Sequence, residues 1–368
     1  MDTKTKPFDS FKAVYKILIW TGFYIRPYEQ NSYPNHATNL RIECLMIEIP
    51  QLNLFVKLLT FLVYSSRVDK INEVLNDPIF AANGRENEKY LLKNIKEMHR
   101  LSKIMNIFVT IAAVCWLASN VVQRLRDEST VIPFYVPFKT DTWSKYILLC
   151  LIQNILPLFW VGYGHLSLDC LVTTYYAQAQ VQLKMIKHNL KHLFDETSLN
   201  KSSGLYDDVT EKKLYKKFVY YVKRYERLVW YITEVNGVFN PSMTFQFLTS
   251  SITMCIVIYE MSETSVLSME FIFLMVLLVI LLIQVFLYCY YGNLVRHESE
   301  SMNTCLYESE WTSSSPRFRR AMLIAMARWS KPMTTRVARI IPLALDTFIS
   351  IIKFSYTLYT VMSSNKDK

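Results

Sequence analysis

Five runs of apolar residues, 104–123, 146–168, 235–259, 271–291 and 340–362, stand out along the chain. Each is close to the roughly 20 residues that a helix needs to cross about 30 Å of hydrocarbon. The first four contain no Asp, Glu, Lys or Arg and predict membrane-spanning helices. A sixth stretch, 44–64, is interrupted by Glu48, Pro50 and Lys57. It spans only if packing against other helices satisfies those residues. The fifth run is patterned: Asp346, Ser350, Lys353, Thr357, Thr360 and Ser364 fall 4, 3, 4, 3 and 4 residues apart, so they share one face of an apolar helix. Such a helix is expected to wall an aqueous path. The alternative for Asp346 and Lys353, seven apart, is a structural ion pair or a Lys353 side chain that snorkels to the boundary.

The connections are patterned too. Apolar and aromatic residues recur at spacings of 3 and 4 among charges in 66–75, 89–105 and 215–235, which predicts helical extensions beyond the membrane over 66–103, 173–234 and 293–339. Only 195–208, with Ser202, Ser203 and Gly204, reads as a flexible loop. No internal repeat is visible, which counts against inverted-repeat transporters. The apolar stretch 14–25 contains Lys16, Trp20 and Tyr24 and is followed by no small-residue cleavage site, so it reads as an interfacial amphipathic helix, with a truncated span as the alternative, and not as a signal peptide. The fold expected is all-α, a polytopic helical membrane protein forming one transmembrane domain over 1–368.

Composition supports that class. Of 368 residues, 51% are hydrophobic and 14% aromatic, with only 7 Gly, which is too apolar for an ordinary soluble domain. The net charge of +10 is distributed by loop: eight Lys and Arg lie in 67–103, eleven in 184–227 and eight in 296–339, against four in 124–145 and none in 260–270. The three basic regions are therefore expected on the cytoplasmic side and the C-terminus outside. Basic residues placed between spans argue against nucleic-acid binding.

Candidate chemistry is sparse. Six of the seven cysteines, Cys44, Cys115, Cys150, Cys170, Cys255 and Cys289, lie in or beside apolar runs, and Cys305 lies in a basic connection, leaving no extracellular pair for a disulfide. His188 and His192 stand four apart, but no HExxH or CxxC accompanies the six histidines, and His165, inside an apolar run, is expected to be a hydrogen-bonded structural residue. No nucleophile elbow, phosphate loop, dinucleotide fingerprint or intramembrane carboxylate pair occurs. Neither catalysis nor a cofactor or metal is expected.

The segment from Phe286 through Gly292 and Asn293, then Ser299 and Glu300, Glu310-Trp311, Phe318-Arg319-Arg320, Met326-Ala327-Arg328, Lys331-Pro332 and the run from Phe348 to Tyr359 together resemble the insect odorant receptors. Asp77-Pro78-Ile79-Phe80 and Ile132-Pro133-Phe134 with Pro137-Phe138 are consistent with it, so the resemblance covers nearly the whole chain. It implies a seven-helix ligand-gated cation channel, N-terminus inside and C-terminus outside. The channel would be a tetramer of an odorant-tuning subunit and a shared co-receptor in the plasma membrane of the olfactory neuron dendrite. The second cytoplasmic region is much shorter than a co-receptor's, so the chain resembles a tuning subunit. Tyr356-Thr357 is not followed by the ending of the related gustatory receptors. A G-protein-coupled seven-helix receptor is the other class to weigh; it has the opposite orientation, and no DRY-like or NPxxY-like motif is present.

One departure from the family concerns the first span. Members carry a full helix between the N-terminal helix, here 16–24, and the second span, whereas this chain passes from Tyr33-Pro34 almost directly to Arg41. The first span is thus expected to be missing or truncated, and the side of the N-terminus no longer follows.

The resemblance also implies a mainly apolar pocket for small volatile odorants in the outer half of the bundle. Transferred to this sequence, it comprises Ala113 and Trp116, Leu148 and Ile152, and Thr253, Ile256 and Tyr259, with Trp116 and Tyr259 foremost; packing alone is the competing role for each. The family's gate, a hydrophobic constriction near the outer end of the last helix, carries over to Val361, among the polar positions Asp346, Ser350, Lys353, Thr357, Thr360 and Ser364. Since one helix cannot enclose a pore, several copies must meet. The partners implied are a co-receptor subunit, an odorant and membrane lipid.

Overall fold

The computed structural model describes residues 37–125, 142–195, 206–266 and 268–366. The stretch 14–25, the place of the expected first span and most of the loop expected over 195–208 lie outside the described residues. Helix α1 is Ala37–Val63, α2 is Ser65–Leu75 and α3 is Arg85–Leu125. Helix α4, Trp143–Pro157, runs through one π turn, Leu158–Gly162, into α5, Tyr163–Lys191. Then follow α6, Asp208–Glu263, α7, Met269–Glu300, the short α8, Met302–Tyr307, and α9, Pro316–Trp329. A hairpin of β1, Arg336–Val337, and β2, Ile341–Pro342, leads into the last helix, α10, Leu345–Lys366.

Local chemistry marks these boundaries. Ser268 caps α7 by accepting from the Phe271 N–H at 3.1 Å. Ser315 does the same for Phe318 at the start of α9, where Pro316 takes the first helical position. Among the described residues three helices, α3, α6 and α7 with its short continuation, are long and apolar enough to cross a bilayer. With 56 residues, α6 is about 84 Å long at 1.5 Å per residue, nearly three times the hydrocarbon thickness, so most of it projects beyond the membrane. The apolar run that opens at Ile340 begins with hairpin, and Pro342 delays the helix to Leu345.

Helix α5 is the central post. Every residue from Gly164 to Leu183 is buried, including Asp169, Gln178 and Gln182, because α3, α6 and α7 surround it. Helix α1 packs mainly on α6, and α10 on α6 and α7.

The three basic connections meet at one end of the bundle. Lys187 at the end of α5 pairs with Glu298 of α7, Lys191 with Glu308 at 3.0 Å, and Arg328 of α9 with Glu226 of α6 at 3.4 Å. The Asp77-Pro78-Ile79-Phe80 turn plugs this end: Phe80 is fully buried, and its carbonyl accepts from Gln182 Nε2 at 3.2 Å and Arg224 Nη2 at 3.3 Å. Phe318 inserts between Tyr215, Phe218 and Phe194, with ring centroids 5.3, 5.5 and 6.1 Å away.

The hairpin is fixed by three α6 side chains one turn apart. Asn236 Oδ1 accepts from the Arg336 N–H at 3.3 Å, Asn240 Nδ2 donates to the Arg336 carbonyl at 2.8 Å, and Thr244 Oγ1 accepts from the Ala338 N–H at 3.0 Å. These bonds hold Ala338 and Arg339 at φ of 52° and 63°, a left-handed turn that side-chain-bearing residues seldom adopt.

Candidate functional site

The last helix has two unlike faces. Phe348, Ile351, Ser355 and Met362 turn inward: Phe348 packs edge-on to Phe286 of α7 at 5.5 Å, Ser355 sits 3.9 Å from the Met254 sulfur, and Met362 Sδ lies 3.4 Å from Cys255 Sγ. The opposite face holds Asp346, Ser350, Lys353, Thr357, Thr360, Val361 and Ser364, all exposed on the protomer. Hydroxyls on this face donate to their own helix: Ser350 to the Asp346 carbonyl at 2.8 Å, Thr357 to Lys353 at 2.9 Å, Thr360 to Thr357 at 2.8 Å and Ser364 to Val361 at 3.2 Å. With the proton spent inward, each oxygen presents lone pairs outward. Asp346 and Lys353 form no ion pair with each other among the described residues, so the stripe is not organised around that bond.

The seven positions considered for a ligand divide by location. Ala113 and Trp116 lie partly buried on α3, and the indole stacks on Phe273 of α7 with centroids 6.0 Å apart and planes 20° from parallel. Thr253 and Ile256 are buried on α6, with Tyr259 partly buried one turn further. Helix α7 packs against both α3 and α6, the helices that carry these two groups. Leu148 and Ile152 on α4 face outward, 54% and 43% exposed.

A buried polar cluster with no local sequence signal joins α1, α5, α6 and α7. The Lys57 ammonium of α1 pairs with the Asp169 carboxylate of α5 and lies 3.0 Å from His165 Nδ1. Tyr288 of α7 donates to the same Asp169 oxygen at 2.5 Å, and His165 Nε2 meets the Pro50 carbonyl at 2.8 Å. One turn along α1, Asn53 Nδ2 donates to Gln246 Oε1 of α6, whose amide donates to Ser250 at 2.7 Å and reaches Gln284 of α7 at 3.5 Å. His165 is thus a hydrogen-bonded structural residue as expected, though not an isolated one. Among the described residues no group of three His, Cys, Asp or Glu side chains is arranged to hold a metal ion.

Comparison with known proteins agrees with this architecture. Odorant receptor 19a of Drosophila melanogaster is 35% identical over 118 residues, 32% of this chain and 30% of that receptor's length. Odorant receptor 43b of the same species is 22% identical over 84% of this chain and 74% of its own. The olfactory receptor OR5 of Machilis hrabei, solved in complex with eugenol, superimposes with a TM-score of 0.70 at 15% identity, covering 96% of this chain and 97% of that one. It thus shares this fold of membrane helices. The family model described as 7tm Odorant receptor matches residues 43–356, and since that match takes in most of the chain, the protein belongs to this family of multi-pass membrane receptors.

Proposed function

We propose that the chain is the odorant-tuning subunit of a ligand-gated, non-selective cation channel, assembled as a heterotetramer with a co-receptor subunit in the plasma membrane of olfactory sensory neurons. The observation that carries this reading is the outward face of α10. A helix whose inner face packs on its own bundle, and whose stripe of Asp346, Ser350, Lys353, Thr357, Thr360 and Ser364 points away from it, leaves those positions for a neighbouring subunit or for water. Hydroxyl oxygens with their protons turned inward suit a path for cations. In this assignment Val361 is the dewetting constriction near the outer end, and the end that gathers the basic connections is cytoplasmic.

The odorant site is proposed around the outer half of α7, with Ala113 and Trp116 on one side and Thr253, Ile256 and Tyr259 on the other. Apolar walls with a few hydroxyls suit small volatile molecules held by dispersion and one or two hydrogen bonds. Leu148 and Ile152 face lipid in this arrangement and are left outside the pocket. The deciding experiment expresses the chain with and without a co-receptor and screens volatile ligands while recording current. Odorant-evoked cation current is expected only from the pair; current from this chain alone would refute the hetero-oligomer.

A further inference from the structure

Helix α3 carries a single exposed face from basic to apolar. Lys89, Lys93, Lys96 and Arg100 are exposed at spacings of 4, 3 and 4, and Ile104, Ile107, Ile111 and Val114 continue the face at 4, 3, 4 and 3. Leu91, Ile95, Met98, Met105 and Val109, on the other side, are buried in the bundle. On a helix that is apolar and long enough to cross a bilayer, an exposed apolar face, with Ile107 and Val114 each 58% exposed, is the side that meets acyl chains. The basic half of the same face therefore emerges directly among lipid headgroups. Charge changes over a single turn, where Lys103 adjoins Ile104.

Lys89, Leu92, Lys93, Lys96, Glu97 and Arg100, all on this one helix, line a shallow, open groove. Lys89 is matched by Glu86 at 2.5 Å, and Lys93 faces Glu97 at 3.9 Å. Among the described residues Lys96 and Arg100 have no carboxylate partner, so the groove holds two uncompensated cations. Height selects the ligand. Taking Arg100 as the level where acyl chains give way to headgroups, Lys96 stands about 6 Å and Lys93 about 10 Å further out, at 1.5 Å per residue. A headgroup layer is about 5–8 Å deep on each side, so a serine headgroup at the Arg100 level stops near Lys96. A phosphorylated inositol ring, with anionic groups on its far side, spans from Arg100 to Lys93.

We infer that this groove binds the phosphorylated inositol headgroup of a phospholipid, whose acyl chains lie along Ile104, Ile107 and Ile111. The inference rests on the proposed topology for placing the site in the inner leaflet, but the binding itself needs neither channel activity nor a co-receptor.

The test uses the full chain purified in detergent and short-chain phosphatidylinositol bisphosphate as the titrated probe. The Lys96→Gln/Arg100→Gln double variant should weaken binding about tenfold or more, since each basic residue near an anionic headgroup contributes substantially. The Lys96→Arg/Arg100→Lys exchange should bind within about twofold of wild type, which keeps the result informative should the neutral variant fold poorly. Lys212→Gln/Lys213→Gln, removing the same charge from an exposed part of α6, should have little effect. Equal weakening by the two neutralising pairs would assign the attraction to net charge and overturn the site. Binding of soluble inositol trisphosphate, or of an acidic peptide, as tight as that of the lipid would overturn a membrane phospholipid as the occupant. A receptor that fails to give odorant-evoked current while still binding this lipid would sink the channel reading alone.

Discussion

Lys57 of α1 and Asp169 of α5, 112 residues apart in sequence, form an ion pair with side chains only 4% and 2% exposed. Each charge alone would be costly inside a membrane bundle. Together, and with the Tyr288 hydroxyl on the same carboxylate, they fasten α1, α5 and α7 to one another. The pair also accounts for how a helix interrupted by Lys57 sits within the bundle.

Removing one partner of a buried pair typically costs about 3–5 kcal/mol, whereas replacing both by apolar residues is often nearly neutral. Lys57→Met and Asp169→Leu are each expected to lower thermal stability and surface expression strongly, and the double variant is expected to recover much of the loss. Melting curves of the detergent-solubilised protein measure this coupling. Simple addition of the two single effects would show that the pair is not an energetic unit.

What was legible in the sequence follows from the range of each signal. Apolar runs and 3–4 spacings are local, so the helical class and the polar stripe of α10 could be read without a structure. The partner of Lys57 could not, because a lone Lys in one apolar run and an Asp beside another give no indication that they meet across 112 residues. The exposure of Leu148 and Ile152 was equally hidden, since an apolar helix looks alike on its lipid side and its protein side. The hairpin before α10 leaves no local signal because its turn uses Ala338 and Arg339 in place of the Gly or Asn that usually marks such a bend, and its support comes from Asn236, Asn240 and Thr244 on a distant helix.

Gly292 provides a second test of packing. A Cβ at this position would collide with the Leu343 side chain and come within 2.9 Å of Thr335 Oγ1 and 3.0 Å of the Leu343 carbonyl. The backbone carbonyl cannot yield without moving the hairpin base, so Gly292→Ala is expected to destabilise by about 1–3 kcal/mol, the usual range for overpacking. An unchanged melting temperature would mean that the approach of α7 to this segment is looser than the geometry indicates.

The proposed odorant site predicts a change in selectivity. Trp116→Ala removes the ring stacked on Phe273, and Tyr259→Ala removes an aromatic wall of α6. If these residues touch ligand, each variant should reorder the ranking of odorants by several-fold shifts in half-maximal concentration. Current evoked by an agonist of the co-receptor should persist. Rankings preserved in both variants, with that control current intact, would return Trp116 and Tyr259 to a packing role.

The final prediction separates a gate from a merely exposed side chain. Val361 is 54% exposed on the outward face of α10, whereas its neighbour Met362 turns inward and lies against Cys255 at 3.4 Å. Water in a narrow apolar ring is unfavourable, and a hydroxyl reduces that cost, so Val361→Ser should raise resting current in cells that also express the co-receptor. Met362→Ser, about 100° around the helix, should act through packing on α6, lowering stability and surface expression with little effect on resting current per channel. Recordings normalised to surface expression distinguish the two. Equal resting currents for wild type and Val361→Ser would remove Val361 from the gate, and a rise confined to Met362→Ser would place the pore on the other side of this helix.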